Sequence, residues 1–270
     1  MKFFLTLFVT ISLWLVSNAE KPNIVIIFTD DQGYADLGCY GSKTNKTPRL
    51  DQLAKEGTMF TSFYTQTVCG PSRSALLTGR YPCRSKGWGM PASEITFAEL
   101  IKDAGYQTAC IGKWDVSNRK PIIERMPNAQ GFDYFFGALG ANDGGMVKFH
   151  ENNEASGSSK DMGGLTTLYT DKSIKFLRNK RDPKKPFVLY LAHTMMHTII
   201  DASERFRGKS KGGLYGDVVE EFDYETGRLL DVLDELELSD NTLVLYTSDN
   251  GPWNQDKYTK NKKGHPEGSI

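Results

Sequence analysis

Short, β-branched apolar segments alternate along this chain with helical segments, and this alternation constrains the fold more than any other feature. The apolar segments have the length of buried strands: Asn23 to Thr29, Tyr106 to Ile111, Phe187 to Ala192 and Thr242 to Thr247. The helical segments carry apolar spacing or capping signals: Pro48 to Glu56, Thr96 to Ala104, Leu168 to Asn179 and Gly216 to Leu236. Such alternation is typical of a parallel sheet covered by helices. We therefore predict an α/β fold with a mainly parallel central sheet flanked by helices.

A polar cluster directly follows each of these four apolar segments. In chain order, the clusters are Asp30-Asp31, Gly112-Lys113, His193 with His197, and Asp249-Asn250. In open α/β sheets, ligands bind outside the carboxyl ends of the strands. We therefore expect all four clusters to line one shared pocket.

The acidic clusters Asp30-Asp31 and Asp249-Asn250 offer oxygen ligands of the kind that Ca²⁺ or Mg²⁺ prefers over zinc. Adjacent carboxylates repel each other, and a bound cation keeps both ionised. The same dipeptides also form good turns, so composition alone leaves both interpretations open.

Cys69 precedes a segment that reads as a helix with Pro71 in its first turn. Cys69 and Gly70 would then lie at the helix N-terminus, where free N–H groups and the helix dipole favour an anion. Arg73 adds a guanidinium suited to tetrahedral oxyanions. The segment indicates an anion site, although a lone cysteine is more often simply buried or disulfide-bonded.

The first nineteen residues have the pattern of a secretory signal peptide. Lys2 precedes an apolar run, Phe3 to Val16, and small residues occupy the cleavage positions in Ser17-Asn18-Ala19. The run is short for a membrane anchor, which is the alternative. We expect residues 20–270 to form one secreted or periplasmic catalytic domain, lysosomal or extracellular in a eukaryote, with no membrane attachment after cleavage.

The charge balance bears on the class of ligand, and the cysteine count bears on disulfide formation. Lys plus Arg number 33 and Asp plus Glu number 33, so no basic excess supports nucleic-acid binding. An exported protein can form disulfides. With Cys69 set apart for chemistry, at most one internal pair can form among Cys39, Cys83 and Cys110, and the sequence does not say which.

Five motifs, in order along the chain, resemble those of the sulfatase family. The most specific is Cys69-Gly70-Pro71-Ser72-Arg73 continuing through Leu76-Leu77-Thr78-Gly79-Arg80, which is similar to the signature Cys-x-Pro-Ser-Arg…Leu-Thr-Gly-Arg. The other four are Asn23 to Gly33, Gly112-Lys113-Trp114, His197 and Asp249-Asn250-Gly251-Pro252. The resemblance implies an alkaline-phosphatase-like α/β sandwich that hydrolyses sulfate esters.

The resemblance also implies a mechanism and its residues. A maturation enzyme would oxidise Cys69 to formylglycine, whose hydrated aldehyde attacks sulfur, displaces the alcohol and then expels sulfate. Ca²⁺, or Mg²⁺ in its place, would be held by the groups at positions Asp30, Asp31, Cys69, Asp249 and Asn250. Arg73 would stabilise formylglycine, while Lys113 and His197 would bind sulfate and assist the leaving group. The substrate would be a sulfated small molecule or polysaccharide.

The chain departs from the family pattern at three places. Asp115 stands where the family usually has His, and an acid cannot supply the same cationic hydrogen bond. Met196 stands where Pro is common before His197. The family also has a later sulfate-binding lysine and a C-terminal subdomain, so we expect a truncated chain that lacks that subdomain. His193 matches no family position and is predicted to be structural.

Two other functions remain compatible with these residues. One is a phosphate mono- or diester hydrolase of the same superfold, which the context of Cys69 disfavours. The other is an inactive, truncated remnant that binds Ca²⁺ and sulfated glycans, which Asp115 and the unmatched lysine favour. The stretch from Gly137 to Gly164 is rich in Gly, Asn and Ser, and we predict a long surface loop or insertion there that contributes to specificity.

Overall fold

The structure is a computed structural model that describes residues 20–253, so the predicted signal peptide lies outside the described range. Within that range, seven strands form one sheet in the order β5-β4-β3-β2-β6-β1-β7. The strands are β1 Asn23–Thr29, β2 Gln107–Lys113, β3 Tyr134–Ala138, β4 Val147–Glu151, β5 Glu154–Ser159, β6 Phe187–Ala192 and β7 Thr242–Ser248. The pairs β1·β6, β1·β7, β2·β6 and β2·β3 are parallel. The predicted, mainly parallel α/β sheet is therefore confirmed.

Helices occupy most of the predicted positions. The α-helices of the described range are α1 Pro48–Glu56, α2 Cys69–Thr78, α3 Pro82–Ser85, α4 Phe97–Asp103, α5 Leu165–Lys175 and α6 Gly213–Glu235. A capping box starts α4, because the Thr96 hydroxyl accepts the Glu99 N–H while the Glu99 carboxylate accepts the Thr96 N–H. Helix α5 begins at Leu165 rather than at the predicted Leu168, and a π-helical turn continues it over Phe176–Lys180.

Both faces of the sheet are covered. In β1, Val25 and Ile27 belong to a cluster that includes residues of α5 and α6, whereas Ile26 and Phe28 belong to a second cluster on the opposite face. Successive side chains of a strand point to opposite faces, so a strand that is buried on both sides must be apolar throughout. This explains why the segments that form β1 and β6 read as continuous apolar runs.

The prediction of a loop from Gly137 to Gly164 was wrong. The stretch contains the β4–β5 hairpin, whose strands continue the sheet in antiparallel fashion beyond β3. Every residue of β5 except its last is exposed. A strand that buries so little of either face carries no alternating apolar pattern, and its sequence therefore resembles a loop.

Two further observations concern the pairing of the cysteines and the search for a membrane-spanning helix. None of Cys39, Cys69, Cys83 and Cys110 is paired in a disulfide. Cys69 and Cys110 are buried, whereas Cys83 is exposed. Across residues 20–253, we find no helix with the length and apolar character that crossing a membrane requires.

We predict that the β6 core carries a large share of the stability. Leu189 is 0% exposed at the centre of the sheet, and Leu189→Ala should lower the free energy of unfolding by about 3 kcal/mol through lost burial and cavity formation. Leu243 of β7 is 51% exposed, so the matched Leu243→Ala should change it by less than about 0.5 kcal/mol. Urea denaturation followed by circular dichroism measures both; equal losses would contradict this account of the core.

Candidate active site

The carboxyl ends of β2, β6, β1 and β7 meet at one edge of the sheet. Backbone hydrogen bonds fix the segments that follow: the Asp249 N–H donates to the Thr29 carbonyl (3.0 Å), and the His193 N–H donates to the Phe28 carbonyl (2.8 Å). The segments that carry the four predicted polar clusters therefore come together at this edge of the sheet. Their meeting follows from the strand order, because neighbouring parallel strands end at the same edge.

Gly112 permits the close approach of β2 and β6 beside the pocket. Its φ is +111°, and a Cβ at this position would lie 1.9 Å from the carbonyl oxygen of Ala192. A side chain here would push the two strand ends apart. The next residue, Lys113, is thereby directed into the pocket from the last position of β2.

Arg73 lies at the centre of the site with no exposed surface. Its guanidinium donates to the Asp249 carboxylate (2.8 Å), the Asp30 carboxylate (3.2 Å) and the carbonyls of Lys113 (3.1 Å) and His193 (3.2 Å). These partners belong to four different strand ends. A buried charge is tolerated only when it is paired and hydrogen-bonded in this way, so Arg73 ties the strand ends together.

Lys113 and Asp30 form a second buried ion pair, with 2.5 Å between Nζ and Oδ2. Burial alone would raise the pKa of the Asp30 carboxyl, but Lys113 and Arg73 together hold that pKa below its ordinary range. Asp30 is therefore ionised at neutral pH. Burial lowers the pKa of Lys113, but Asp30 and Asp115 together outweigh this effect and raise the pKa, so Lys113 also keeps its charge.

Cys69 begins α2, as predicted, and is 8% exposed. Its Sγ lies within 4.8 Å of carboxylate oxygens of Asp30 and Asp249. Burial raises the pKa of the thiol to about 12, so Cys69 is protonated at neutral pH. A thiolate nucleophile is therefore not what this environment supports, although the free N–H groups of the first helical turn suit an anion beside it.

The acidic residues fit a divalent cation. Three buried oxygens have no hydrogen-bond partner: Asp30 Oδ1, Asp31 Oδ2 and Asn250 Oδ1. The Asn250 amide donates to Asp31 Oδ1 (2.5 Å), an arrangement that leaves its own oxygen free. Unpartnered, buried oxygens on three neighbouring residues are costly unless a cation binds them, and hard oxygen donors suit Ca²⁺ or Mg²⁺.

Two of the acids are difficult to ionise without such a cation. Burial and the neighbouring Asp30 raise the pKa of Asp249 to about 8, although Arg73 opposes this shift. The same two causes raise the pKa of Asp31 to about 6. Asp31 also has a φ of +56°, which is uncommon outside glycine and is found where a site constrains the backbone.

The two histidines occupy different environments. His197 Nδ1 donates to the Thr198 carbonyl (2.5 Å), and its Nε2 lies 3.9 Å from Asp31 Oδ2. His193 instead packs edge-on between the rings of Tyr169 and Phe222, and burial lowers its pKa to about 3. His197 thus faces the acidic cluster, while His193 is a neutral packing residue.

Sequence reasoning missed two residues that contact the segment carrying His197. Asn142 donates to the carbonyls of His197 (3.0 Å) and Ile199 (2.9 Å) and so holds the segment that carries His197. Asp143 Oδ1 lies 3.4 Å from His197 Nε2. Both residues lie in the stretch interpreted as a loop, where only the turn-forming Asn-Asp-Gly sequence could have drawn attention to them.

We predict that Asp249→Asn weakens Ca²⁺ binding by at least about tenfold, since one charged ligand is lost from a site of few ligands. Isothermal titration calorimetry of the metal-free chain with CaCl₂ measures this. Asp103→Asn, which removes an exposed acid, is the control and should leave the affinity unchanged. Equal affinity in all three proteins would contradict a cation site at Asp249.

We also predict a pH dependence of stability in the metal-free protein. Because the folded-state pKa of Asp249, about 8, exceeds its ordinary value of 3.8, the folded state holds this proton more tightly. The resulting stabilisation is complete below about pH 4 and is lost as the pH rises through about 8. Thermal melts from pH 5 to 9 should show a steeper decline for wild type than for Asp249→Asn. Parallel declines would refute this assignment.

Comparisons with known proteins agree with this geometry. A family model described as Sulfatase matches residues 22–270. The chain is 34% identical over 266 residues to the N-acetylgalactosamine-6-sulfatase of Canis lupus familiaris, covering 86% of this chain and 50% of that protein. It is 31% identical to the steryl-sulfatase of Homo sapiens, covering 86% and 55% respectively.

Solved structures give the same result. The structure of Ps i-CgsB in complex with k-i-k-neocarrahexaose is similar with a TM-score of 0.77 and 30% identity, covering 93% of this chain and 64% of that chain. The chain spans about half the length of the curated relatives it matches. Since the family model matches residues 22–270, this chain belongs to the sulfatase family.

Proposed function

We propose that this protein hydrolyses sulfate esters to an alcohol and inorganic sulfate, using a formylglycine made from Cys69. The observation that carries the proposal is the position of Cys69: it begins α2, and its Sγ lies within 4.8 Å of the Asp30 and Asp249 carboxylates. A pKa of about 12 makes the thiol itself a poor nucleophile. A hydrated aldehyde at this position would supply a hydroxyl in its place.

The cation is assigned to Asp30, Asp31, Asp249 and Asn250, and the unpartnered oxygens of Asp30, Asp31 and Asn250 support this assignment. When bound, Ca²⁺ or Mg²⁺ would lower the pKa of a neighbouring hydroxyl and polarise a sulfate oxygen. Arg73 reaches two of these carboxylates and fixes their orientation. Its role toward formylglycine would follow from the same central position.

Recognition of the sulfate is assigned to Lys113, His197 and the first turn of α2. Lys113 is held by Asp30 and needs no reorganisation to present its charge. His197 donates from Nδ1 to the Thr198 carbonyl, an arrangement that leaves Nε2 to exchange a proton with the departing alcohol. Free N–H groups in the first turn of α2 would donate hydrogen bonds to the remaining sulfate oxygens.

The relatives indicate the range of substrates without selecting one. Their names specify an N-acetylgalactosamine 6-sulfate and a steryl sulfate, and Ps i-CgsB was solved with a carrageenan oligosaccharide. We assign this protein to sulfated small molecules or glycans in a secreted, periplasmic or lysosomal setting, with a formylglycine-generating enzyme as its maturation partner. Phosphate-ester hydrolysis finds less support, because the helix begins with a cysteine rather than a hydroxyl residue.

Modification of Cys69 is the direct test. After coexpression with a formylglycine-generating enzyme, peptide mass spectrometry should find formylglycine at position 69, and the protein should hydrolyse 4-nitrophenyl sulfate faster than 4-nitrophenyl phosphate. Cys69→Ala should reduce the sulfatase rate by more than about a thousandfold, as expected for loss of a nucleophile. Cys83→Ala removes an exposed cysteine and should not change it. An unmodified Cys69 would overturn the mechanism, and a preference for the phosphate would overturn the assigned reaction.

A further inference from the structure

Asp115, the departure from the family pattern, is fully engaged in the structure. Its side chain has no exposed surface, and its Oδ2 accepts the indole N–H of Trp88 (3.0 Å) while lying 3.6 Å from Lys113 Nζ. Its Oδ1 accepts the Nε–H of Arg119 (2.8 Å). One carboxylate therefore connects a sulfate-binding lysine to an aromatic and a cationic side chain.

The Trp88 indole lies directly over the first turn of α2. A Cβ on Gly70 would lie 2.2 Å from indole Cδ1, so position 70, next to Cys69, must be glycine for the ring to lie there. Gly87, which precedes Trp88, lies against Pro71 of the same turn. The indole is thus fixed by packing on one side and by the hydrogen bond to Asp115 on the other.

Trp88 is nevertheless 37% exposed, although its N–H is bonded and one face of its ring is covered. Arg119 is also partly exposed, and its second hydrogen bond goes to Asp143 (2.9 Å), the carboxylate that faces His197. The rim between Cys69 and solvent therefore consists of a rigid aromatic surface beside charged donors and acceptors. A sulfate ester with its sulfur at Cys69 must extend its alcohol past this rim.

We propose that Trp88 is a specificity-determining residue that packs against a ring of the ester's alcohol, and that Asp115 is the positioning residue that holds the indole there. The inference rests on the proposed function. It gives the acid at position 115 a role different from that of the family's histidine: Asp115 orients the binding surface for the alcohol instead of contacting sulfate. The substrate class it selects is a sulfate ester of a ring-bearing alcohol rather than of a short alkyl alcohol.

The test compares two probes with the same headgroup. Phenyl sulfate and methyl sulfate are titrated by calorimetry, in the presence of CaCl₂, into the full chain carrying Cys69→Ala, which prevents turnover. The protein should bind phenyl sulfate more tightly than methyl sulfate, and Trp88→Ala should reduce that preference by about fivefold, the contribution expected of one aromatic contact. Trp88→Phe retains a ring and should keep most of the preference.

Further variants separate a specificity role from a purely structural one. Gly70→Ala should displace the indole and lower the preference as Trp88→Ala does, whereas Asp115→Asn keeps an acceptor for the indole N–H and should preserve it better than Asp115→Ala. Tyr81→Ala removes a 76% exposed aromatic residue beyond the opposite end of α2 and should change nothing. Thermal melts of each variant identify any that fail to fold.

The outcomes distinguish the two proposals. An unchanged preference for phenyl sulfate in both folded Trp88→Ala and folded Gly70→Ala would overturn the role of Trp88 and leave the sulfate site intact. Equal weakening of both probes by Trp88→Ala would also overturn it, because the residue would then only support the helix. If the chain that carries only Cys69→Ala binds neither phenyl sulfate nor methyl sulfate, the sulfate site and this inference are both overturned.

Discussion

The structure depends on the compensation of charges that are buried where four strands end. Arg73 and Lys113 are cations without exposed surface; both contact the ionised Asp30, and Arg73 also donates a hydrogen bond to Asp249. Removing one member of such a group leaves an uncompensated charge, which typically costs about 3–5 kcal/mol. Each partner belongs to a different segment of the chain, so the ion pairs form only when the sheet has its native strand order.

The same charges determine what the site can bind. Asp30 remains ionised because two cations face it, whereas burial favours the neutral forms of Asp31 and Asp249. A divalent cation would reverse that preference and use the unpartnered oxygens as ligands. Binding of a cation would therefore be linked to the ionisation of Asp31 and Asp249.

Sequence reasoning predicted the elements that local patterns encode. The apolar run of β1 and the start of the helix that contains Pro71 are visible in the sequence. The rule that ligands bind outside the carboxyl ends of the strands was sufficient to predict that Asp30, Lys113 and Asp249 lie together. It did not predict β5, whose small, exposed residues form a strand only because β4 pairs with them.

The contacts of Asp115 could not be predicted either. Its partners, Trp88 and Arg119, are fixed by the tertiary packing of Gly70 and by a backbone φ of +53° at Asp115, neither of which leaves a pattern in the sequence. The resemblance to the family identified position 115 as unusual, but the contacts of the acid are visible only in the folded structure.

Burial changes abruptly between the inner site and its rim. The side chains of Arg73, Lys113 and Asp30 have no exposed surface, while those of Arg119 and Asp143 are 43% and 45% exposed. Substitutions at exposed positions usually change stability little, whereas substitutions within a buried charge cluster change it greatly. Natural variation can therefore accumulate at the rim while selection preserves the interior. Under the proposed function, substitutions at the rim would change which alcohol is accepted without disturbing the buried groups that carry out the chemistry.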